Sequence, residues 1–504
     1  MMKTEQKTIY DNIASAVSLS TPSEKIEVEQ TPTYLQDPLP IADFAVGVVS
    51  ALGASVAELG VARGLPAQDI AVDRRHATMS LNNAAFNFQN GVIILGGEIM
   101  VPVNGFYQAR DGQWMCFNGA YPHLRDGILK YFDAPHDQDR LIAKVAEHDS
   151  AKILQDFEDL GLCAAPVLTH AEWMAHPQGQ AMAELPVVKL EKCGDAKGRV
   201  LPEARHRPLE GVRVIDVTHV VAGPWATRVL ADQGADVISI RNPLFPFLYP
   251  VIFEESYGKK QIQMHFGIEA QKKRFAELIA TADVLVWGYG PGSLDRLGFT
   301  REKLMELNPN LVLTRVSAYG PVGPWQKRKG WEQLSQTCSG MVDIASKGRD
   351  QHHLVGALPL DYGTGYLAAI GTISALRQRQ EHGGFWEINA MLTRTAIDVL
   401  SLPLGSEEAV ATSKKDDAKY LVDQESNFGA VFTKLAPAAR LSKTPSYSAT
   451  GPAIIGAHDP FTTGWDETPK GDGTVTHVPS KMAQRGLIGF MENFGHEDIM
   501  LRKS

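Results

Sequence analysis

The hydrophobic pattern is most regular between residues 209 and 243, where two short β-branched runs flank a segment with helical periodicity. Residues 212–217 and 235–240 are predicted strands, and residues 225–233 are the predicted helix between them. The sequence Ala222-Gly223-Pro224 breaks the first run. In a βαβ unit of this kind, ligands bind where the strand's carboxyl end meets the helix N-terminus. The pattern therefore predicts a site for a phosphate-bearing ligand at residues 219–224.

The same alternation of buried runs and helical segments continues downstream. Predicted helices lie at 268–282, 300–307 and 361–379, and predicted strands at 284–287, 311–317 and 386–389. Regular alternation of this kind favours a parallel sheet with helices on both faces. We therefore expect an α/β fold with a doubly wound, mostly parallel, Rossmann-like sheet.

The upstream half has a more mixed pattern, which predicts a second, smaller mixed α/β domain. It contains a long helix predicted at 38–64, a strand at 69–73, strands within 91–116, and helices at 122–132, 138–147 and 151–160. The expected divisions are a polar N-terminal arm at 1–35, a small-domain half at 36–193, a linker at 194–208, a nucleotide-fold half at 209–404, and an irregular tail at 405–504.

Charge and composition narrow the class of partner. The net charge of −9 leaves no excess of Lys and Arg for a general nucleic-acid or membrane-surface binder. The four cysteines are scattered, without the paired spacing of a metal site or a disulfide framework. The start of the chain has no apolar leader, and no run of 18 apolar residues is present. We expect a cytoplasmic protein with reduced thiols, no bound metal, no nucleic-acid partner and no membrane partner.

Two Ala/Gly-rich segments match each other at an offset of 318 residues: Asp43 corresponds to Asp361, Phe44 to Tyr362 and Gly47 to Gly365. The match is short. Either an internal duplication or the chance similarity of two helices of like composition explains it.

Four segments in order resemble the class III (CaiB/BaiF) CoA-transferases. They lie between residues 209 and 400 and read LEGVRVIDVTHVVAGPWATRVLADQGADVISI, YGPGSLDRLGFTREKLMELNPNLVLTRVSAYGPVGPW, KGWEQLSQTCSG and LPLDYGTGYLAAIGTISALRQRQ. The upstream segments DGQWMCFNGAYPHLRDGILKYF and APVLTHAEWMAHPQGQAMAELP resemble the family's small domain, which normally follows the nucleotide fold. The resemblance thus implies a rearranged or partly duplicated domain order.

The resemblance implies an enzyme that moves CoA between an acyl-CoA and a small carboxylic acid, with coenzyme A as substrate, no metal, and a homodimeric assembly. Asp361 matches the family's nucleophile, which passes through mixed-anhydride and aspartyl-CoA thioester intermediates. A carboxylate is a competent nucleophile for acyl exchange, although an Asp here also suits a helix N-cap. Asp43 is expected to be structural.

The resemblance also implies a set of CoA-binding residues. Two positions depart from the family's usual pattern, since Gly290 stands where Arg is common and Arg241 where Glu is common. The predicted CoA-binding residues are His219, Val221, Ala222, Gly223, Pro224, Lys259, Pro291, Tyr319 and Gly320.

Other functions remain as alternatives. The family includes 2-methylacyl-CoA racemases, which need a second acid/base residue. Trp331 occupies the position of their His and cannot take a proton, which favours the transferase. A non-catalytic CoA-binding protein is a second alternative. A nicotinamide dehydrogenase is disfavoured because the turn after the first strand is not GxGxxG.

Overall fold

The computed structural model describes residues 1–94, 103–246, 248–405, 409–412 and 417–466. Within these ranges the chain forms seventeen α-helices, seventeen strands and four sheets. The part of the predicted tail beyond residue 466 lies outside the described residues.

The N-terminal segment consists of helices packed beside a small sheet. Its elements are α1 (Thr4–Val17), β1 (Ile26–Glu29), α2 (Ile41–Ala62), β2 (Ile70–Asp73), α3 (Arg74–Ser80), β3 (Phe88–Gln89) and β4 (Val92–Ile93), with 3₁₀ turns at Ser23–Lys25 and Asn83–Phe86. The predicted polar arm differs from the structure here, because Ile9, Tyr10, Ile13 and Val17 of α1 are buried against α2. Their spacing places them on one helix face.

Helix α2 is long and apolar enough to cross a membrane by length and composition, and it is the only such helix in the described part of the chain. Most of it is buried inside the protein, where it packs against α1 and the second long helix of the chain. A buried core helix passes the same test as a membrane span, so this observation is weak evidence for a membrane segment.

The small domain follows, with an antiparallel three-stranded sheet covered by helices. Its elements are β5 (Gly105–Gln108), β6 (Trp114–Phe117), α4 (Pro122–Tyr131), α5 (Gln138–Val145), α6 (Ser150–Leu160), β7 (Ala164–Pro166), α7 (His170–Ala175) and α8 (Pro177–Ala183). Its core stacks Phe117 on Tyr107 at 4.8 Å and on Phe132 at 5.7 Å between ring centroids.

A seven-stranded sheet forms the second half, in the order β11-β10-β9-β12-β13-β14-β8. The six strands from β9 to β14 run parallel to their neighbours, and β8 pairs antiparallel with β14. This confirms the predicted α/β fold with a mostly parallel sheet. The elements in chain order are β8 (Lys189–Gly194), β9 (Arg213–Val217), α9 (Ala222–Asp232), β10 (Asp236–Arg241), α10 (Tyr249–Glu255), β11 (Lys259–Gln263), α11 (Glu269–Thr281), β12 (Val284–Trp287), α12 (Ser293–Arg296), α13 (Arg301–Leu307), β13 (Val312–Ser317), α14 (Glu332–Ser339), α15 (Met341–Ala345), α16 (Pro359–His382), β14 (Phe385–Met391) and α17 (Leu392–Leu400).

Residues 417–466 differ from the predicted irregular tail. They contain a 3₁₀ turn at Ala418–Tyr420 and three strands: β15 (Leu421–Glu425), β16 (Val431–Leu435) and β17 (Ala439–Leu441). Strand β17 pairs with β2, and β16 pairs with β3. The segment therefore returns to the N-terminal part of the chain, where Phe432, Leu435 and Leu441 are buried.

The two segments that match in sequence also match in structure. The same offset of 318 residues separates the first residues of α2 and α16, the last residues of β2 and β14, and the first residues of α3 and α17. Each of β2 and β14 has a parallel neighbour, β1 and β13 respectively. An unbroken helix–strand–helix match supports duplication rather than chance similarity.

Candidate active site

A cavity of about 610 Å³ lies between the small domain and the carboxyl ends of the parallel strands. Loops after β9, β12 and β13 form one wall, and residues at the start of α4 and α14 form another. This edge of a parallel sheet is where α/β folds bind ligands. Asp361, at the start of α16, lies in the cavity wall.

Asp361 is buried and is held by the side chain of Glu332. The Glu332 carboxylate accepts the backbone N–H groups of Leu360 at 3.2 Å and Asp361 at 2.5 Å. The N-cap residue of α16, Leu358, makes no side-chain capping bond. Glu332 thus satisfies the free N–H groups of this helix end from a different helix, which fixes the first turn of α16.

Both carboxyl groups have raised pKa values, and burial is the main cause in each case. Burial raises the pKa of Asp361 well above its usual value, and the neighbouring carboxylates of Glu332 and Glu255 raise it further. Burial raises the pKa of Glu332 to about 7, although its hydrogen bonds oppose the shift. A carboxylate with a raised pKa is more basic in its ionised form, which makes Asp361 a candidate nucleophile.

The predicted turn after β9 forms another part of the cavity wall. His219, Ala222 and Gly223 line the cavity, whereas Val221 and Pro224 do not. A Cβ on Gly223 would lie 2.6 Å from the Thr218 side chain, so the close turn requires glycine. Val221 adopts a φ of 26°, a strained conformation for a β-branched residue.

His219 is a neutral hydrogen-bonding group in this wall. Its Nδ1 lies 3.2 Å from the Tyr121 hydroxyl. Burial lowers the pKa of His219 to about 3, and the charge of Arg241 adds to the effect. The ring therefore carries no positive charge at neutral pH.

The remaining predicted CoA-binding residues divide into two groups. Pro291 and Gly320 line the cavity. Tyr319 does not, because its ring is buried against Trp325 at 5.2 Å and its carbonyl accepts a hydrogen bond from Gln178.

Lys259 lies away from the cavity. Its ammonium group is fully buried and donates to Asp216 at 3.0 Å, to the Pro224 carbonyl at 2.8 Å and to Thr227 at 2.7 Å. These hydrogen bonds link Asp216 of β9 to the first turns of α9. This placement opposes the predicted role of Lys259 in binding CoA phosphates.

Four Arg and Lys residues of the cavity wall were not predicted from the sequence: Arg296, Arg315, Arg328 and Lys329. Of these, Arg296 and Lys329 are exposed, and each donates to a backbone carbonyl, of Pro291 and Gly161 respectively. Lys329 stands two residues before Trp331, inside a segment already singled out for its family resemblance. That segment was the signal that could have identified it as a phosphate-binding candidate.

The glycines next to Asp361 serve packing rather than substrate approach. A Cβ on Gly363 would lie 2.7 Å from the Phe44 ring, and a Cβ on Gly365 would lie 2.6 Å from the Ala222 carbonyl oxygen. They let α16 approach α2 and α9 closely.

Within the described ranges no group of three or more His, Cys, Asp or Glu is placed to hold a metal ion.

The second half of the chain is similar to known CoA-transferases. Residues 209–428 match the model of CoA-transferase family III. The chain is 31% identical over 216 residues to a formyl-CoA:oxalate CoA-transferase of Streptomyces avermitilis, covering 41% of this chain and 53% of that protein. It is 30% identical over 197 residues to an acetyl-coenzyme A transferase of Hypoxylon pulicicidum, covering 38% of this chain and 33% of that protein. The chain thus spans between a third and about half of the length of these relatives.

The chain is also similar in part to solved structures. A hypothetical protein of Mycobacterium tuberculosis is 29% identical, with a TM-score of 0.37, over 39% of this chain and 56% of its own. A CaiB/BaiF family protein of Brucella suis is 24% identical, with a TM-score of 0.37, over 45% of this chain and 65% of its own. The sequence resemblance to class III CoA-transferases is confirmed by the family model for residues 209–428.

Proposed function

We propose that this chain, which contains a CoA-transferase family III domain, is an enzyme that moves CoA from an acyl-CoA to a carboxylic acid through Asp361. One observation carries the proposal: a buried aspartate with a raised pKa stands at a helix N-terminus in the wall of a large cavity. The N-terminus of α16 favours negative charge, so it stabilises the ionised nucleophile that burial disfavours.

In the proposed reaction the Asp361 carboxylate is the nucleophile. Ionised Asp361 attacks the thioester carbonyl, which forms a mixed anhydride and releases the CoA thiolate. The thiolate attacks the Asp361 carbonyl, which forms an aspartyl-CoA thioester and releases the first carboxylate. The acceptor carboxylate then attacks this thioester to form a second mixed anhydride, and the thiolate returns to the new acyl group. Asp361 is regenerated as a carboxylate, so atoms and charge balance.

The remaining cavity residues support CoA binding. Ala222 and Gly223 present the first turn of α9, an eleven-residue helix whose N-terminus favours anions. Arg296 and Lys329 supply positive charge at the exposed part of the wall. We assign the CoA phosphates to these two side chains instead of Lys259.

A racemase would need a proton acceptor in addition to Asp361. The position predicted for it holds Trp331, whose indole nitrogen only donates. The transferase therefore fits the cavity better.

Trapping the intermediate tests the proposal. Incubation with an acyl-CoA and hydroxylamine should convert Asp361 to its hydroxamate, which peptide mass spectrometry locates. Asp361→Asn should abolish both labelling and CoA exchange between acids, while Asp43→Asn, at the matching position of the repeat, should retain them. Exchange that persists in Asp361→Asn would falsify the covalent mechanism. Asp361-dependent deuterium incorporation at the α-carbon of a 2-methylacyl-CoA, without exchange, would instead identify a racemase.

A further inference from the structure

Six aromatic rings from distant parts of the chain meet in one part of the cavity wall. They come from the start of α4, the turn after β9, the loops after β10 and β12, and the residue before α14. This aromatic wall consists of Tyr121, His123, His219, Phe245, Tyr289 and Trp331.

The rings are close enough to form a continuous surface. Ring centroids are 4.7 Å apart for His219 and Phe245, and 4.6 Å apart for His219 and Tyr289. Tyr121 lies 5.5 Å from Phe245 and 5.2 Å from Trp331, in edge-on geometry in both cases. Four of the rings are only partly buried and line the cavity, so they can contact a further flat group: His219, Phe245, Tyr289 and Trp331.

The aromatic wall lies beside the proposed nucleophile. Trp331 directly precedes Glu332, whose carboxylate holds the backbone N–H of Asp361. Tyr121, Trp331 and Asp361 all line the same cavity. An acyl group bound for attack by Asp361 would therefore share the cavity with these rings.

The cations near the aromatic wall have other partners. Arg328 pairs with Glu158 at 2.6 Å, and Arg315 pairs with Glu387 at 3.2 Å. Arg241 is buried in a pair with Glu255 at 2.9 Å. His219 is neutral, and the exposed ammonium of Lys329 donates to the Gly161 carbonyl. Arg328, Arg315 and Arg241 thus already have carboxylate partners, and Lys329 is assigned to the CoA phosphates, so a second carboxylate on the substrate, as in oxalate, would compete for these cations.

We propose that the acyl group transferred by this enzyme is a flat, apolar aryl or conjugated group that packs against the aromatic wall. This inference rests on the proposed function, because it assigns the substrate class of the same site. It separates this chain from relatives named for oxalate. Burial of an aromatic ring against Tyr121, Phe245 and Trp331 supplies the preference, and the absence of a second charge on the acyl group avoids the cost of unpaired burial.

Thioether analogues test the substrate class without requiring catalysis. Calorimetry on the full chain should show S-benzyl-CoA binding at least about tenfold tighter than S-carboxymethyl-CoA or S-ethyl-CoA. Phe245→Leu and Trp331→Leu should each reduce the benzyl-to-ethyl affinity ratio by about five- to tenfold. Phe461→Leu, an exposed phenylalanine outside the cavity wall, is the matched control and should leave the ratio unchanged.

The outcomes separate this inference from the proposed function. Equal or tighter binding of the carboxymethyl or ethyl analogue would overturn the aromatic substrate class, even if hydroxylamine traps Asp361. The same loss for benzyl and ethyl analogues in Phe245→Leu would also overturn it, because it would report general damage to CoA binding. Selective benzyl binding without any label on Asp361 would support the aromatic wall and reject the covalent mechanism.

Discussion

The Glu332 carboxylate accepts the backbone N–H of Asp361 and so holds the backbone that carries the Asp361 carboxyl group. The sequence identified Asp361 through its motif, yet it gave Glu332 no role beyond occupying a motif position. This hydrogen bond joins residues 29 positions apart in the chain, one on α14 and one on α16. Side-chain capping of one helix by another depends on tertiary packing, which periodicity does not encode.

Replacement of Asp361 by Asn should stabilise the folded protein while removing activity. Burial and two neighbouring carboxyl groups disfavour the ionised form of Asp361 in the folded state, whereas the unfolded chain ionises it freely, and a neutral amide avoids this free-energy cost of folding. We expect a rise in the free energy of unfolding of roughly 1–3 kcal/mol at pH 8, measured by chemical denaturation. A loss of stability in Asp361→Asn would contradict the assigned electrostatics.

The pH dependence of stability should report Glu332. Its pKa rises from 4.5 to about 7 on folding, so the folded state binds a proton over a range in which the unfolded state has released it. Stability from this group is present below pH 4.5 and is lost as the pH rises to about 7. Wild-type protein should therefore lose on the order of 2–3 kcal/mol relative to Glu332→Gln across that range. Parallel pH profiles for the two proteins would contradict the shift.

At the scale of elements, hydrophobic runs identified the central strands well because strands buried on both faces are almost continuously apolar. The strands β15 to β17 were missed. They are short, and β16 includes Thr433 and the buried Lys434. Lys434 is paired with Ser448 at 2.7 Å, so its burial depends on a partner that a local pattern does not reveal.

Substitution of Lys259 and of Lys329 should distinguish a lysine that stabilises the fold from a lysine that binds CoA. Lys259→Met leaves Asp216 buried without its ion partner, so the free energy of unfolding should fall by about 3–5 kcal/mol. Lys329→Met removes an exposed charge and should change stability by less than about 0.5 kcal/mol. Denaturation and calorimetry with CoA measure both effects.

The effects of the two substitutions on CoA affinity should be the reverse of their effects on stability. Lys329→Met should weaken CoA binding several-fold, with a smaller dependence on salt than the wild type. Folded Lys259→Met should bind CoA with nearly the wild-type salt dependence. If Lys259→Met instead remains stable and loses salt-dependent CoA binding, the original sequence prediction for Lys259 is right and the assignment to Lys329 is wrong.

At the scale of the whole molecule, the cavity joins the two halves of one chain. The small domain supplies Tyr121, and the sheet of the second half supplies the turn at His219. The resemblance in sequence pointed to both halves separately, but it could not pair their loops, because side chains nearly 100 residues apart meet only in the folded chain. The buried amide of Gln178 reinforces this join through bonds to the Tyr319 carbonyl and the Trp325 N–H.

The internal repeat places a second aspartate, Asp43, in the position equivalent to Asp361, but with opposite electrostatics. Asp43 accepts a hydrogen bond from Gln6 at 2.8 Å and pairs with Arg74 at 3.3 Å. Asp43 thus has a cationic neighbour, whereas the charged neighbours of Asp361 are other carboxyl groups. Two copies of one element thus place the same side chain next to a cation in one copy and next to carboxyl groups in the other.

Asp43→Asn should therefore retain CoA exchange and hydroxylamine labelling of Asp361 within about twofold, while the free energy of unfolding falls by roughly 1–3 kcal/mol. The reason is that the amide keeps one acceptor for Gln6 but loses the charge that faces Arg74. Peptide mass spectrometry on the wild type should find the hydroxamate at Asp361 and none at Asp43. A label on Asp43, or loss of exchange in a folded Asp43→Asn protein, would mean that the first copy of the repeat also takes part in the chemistry.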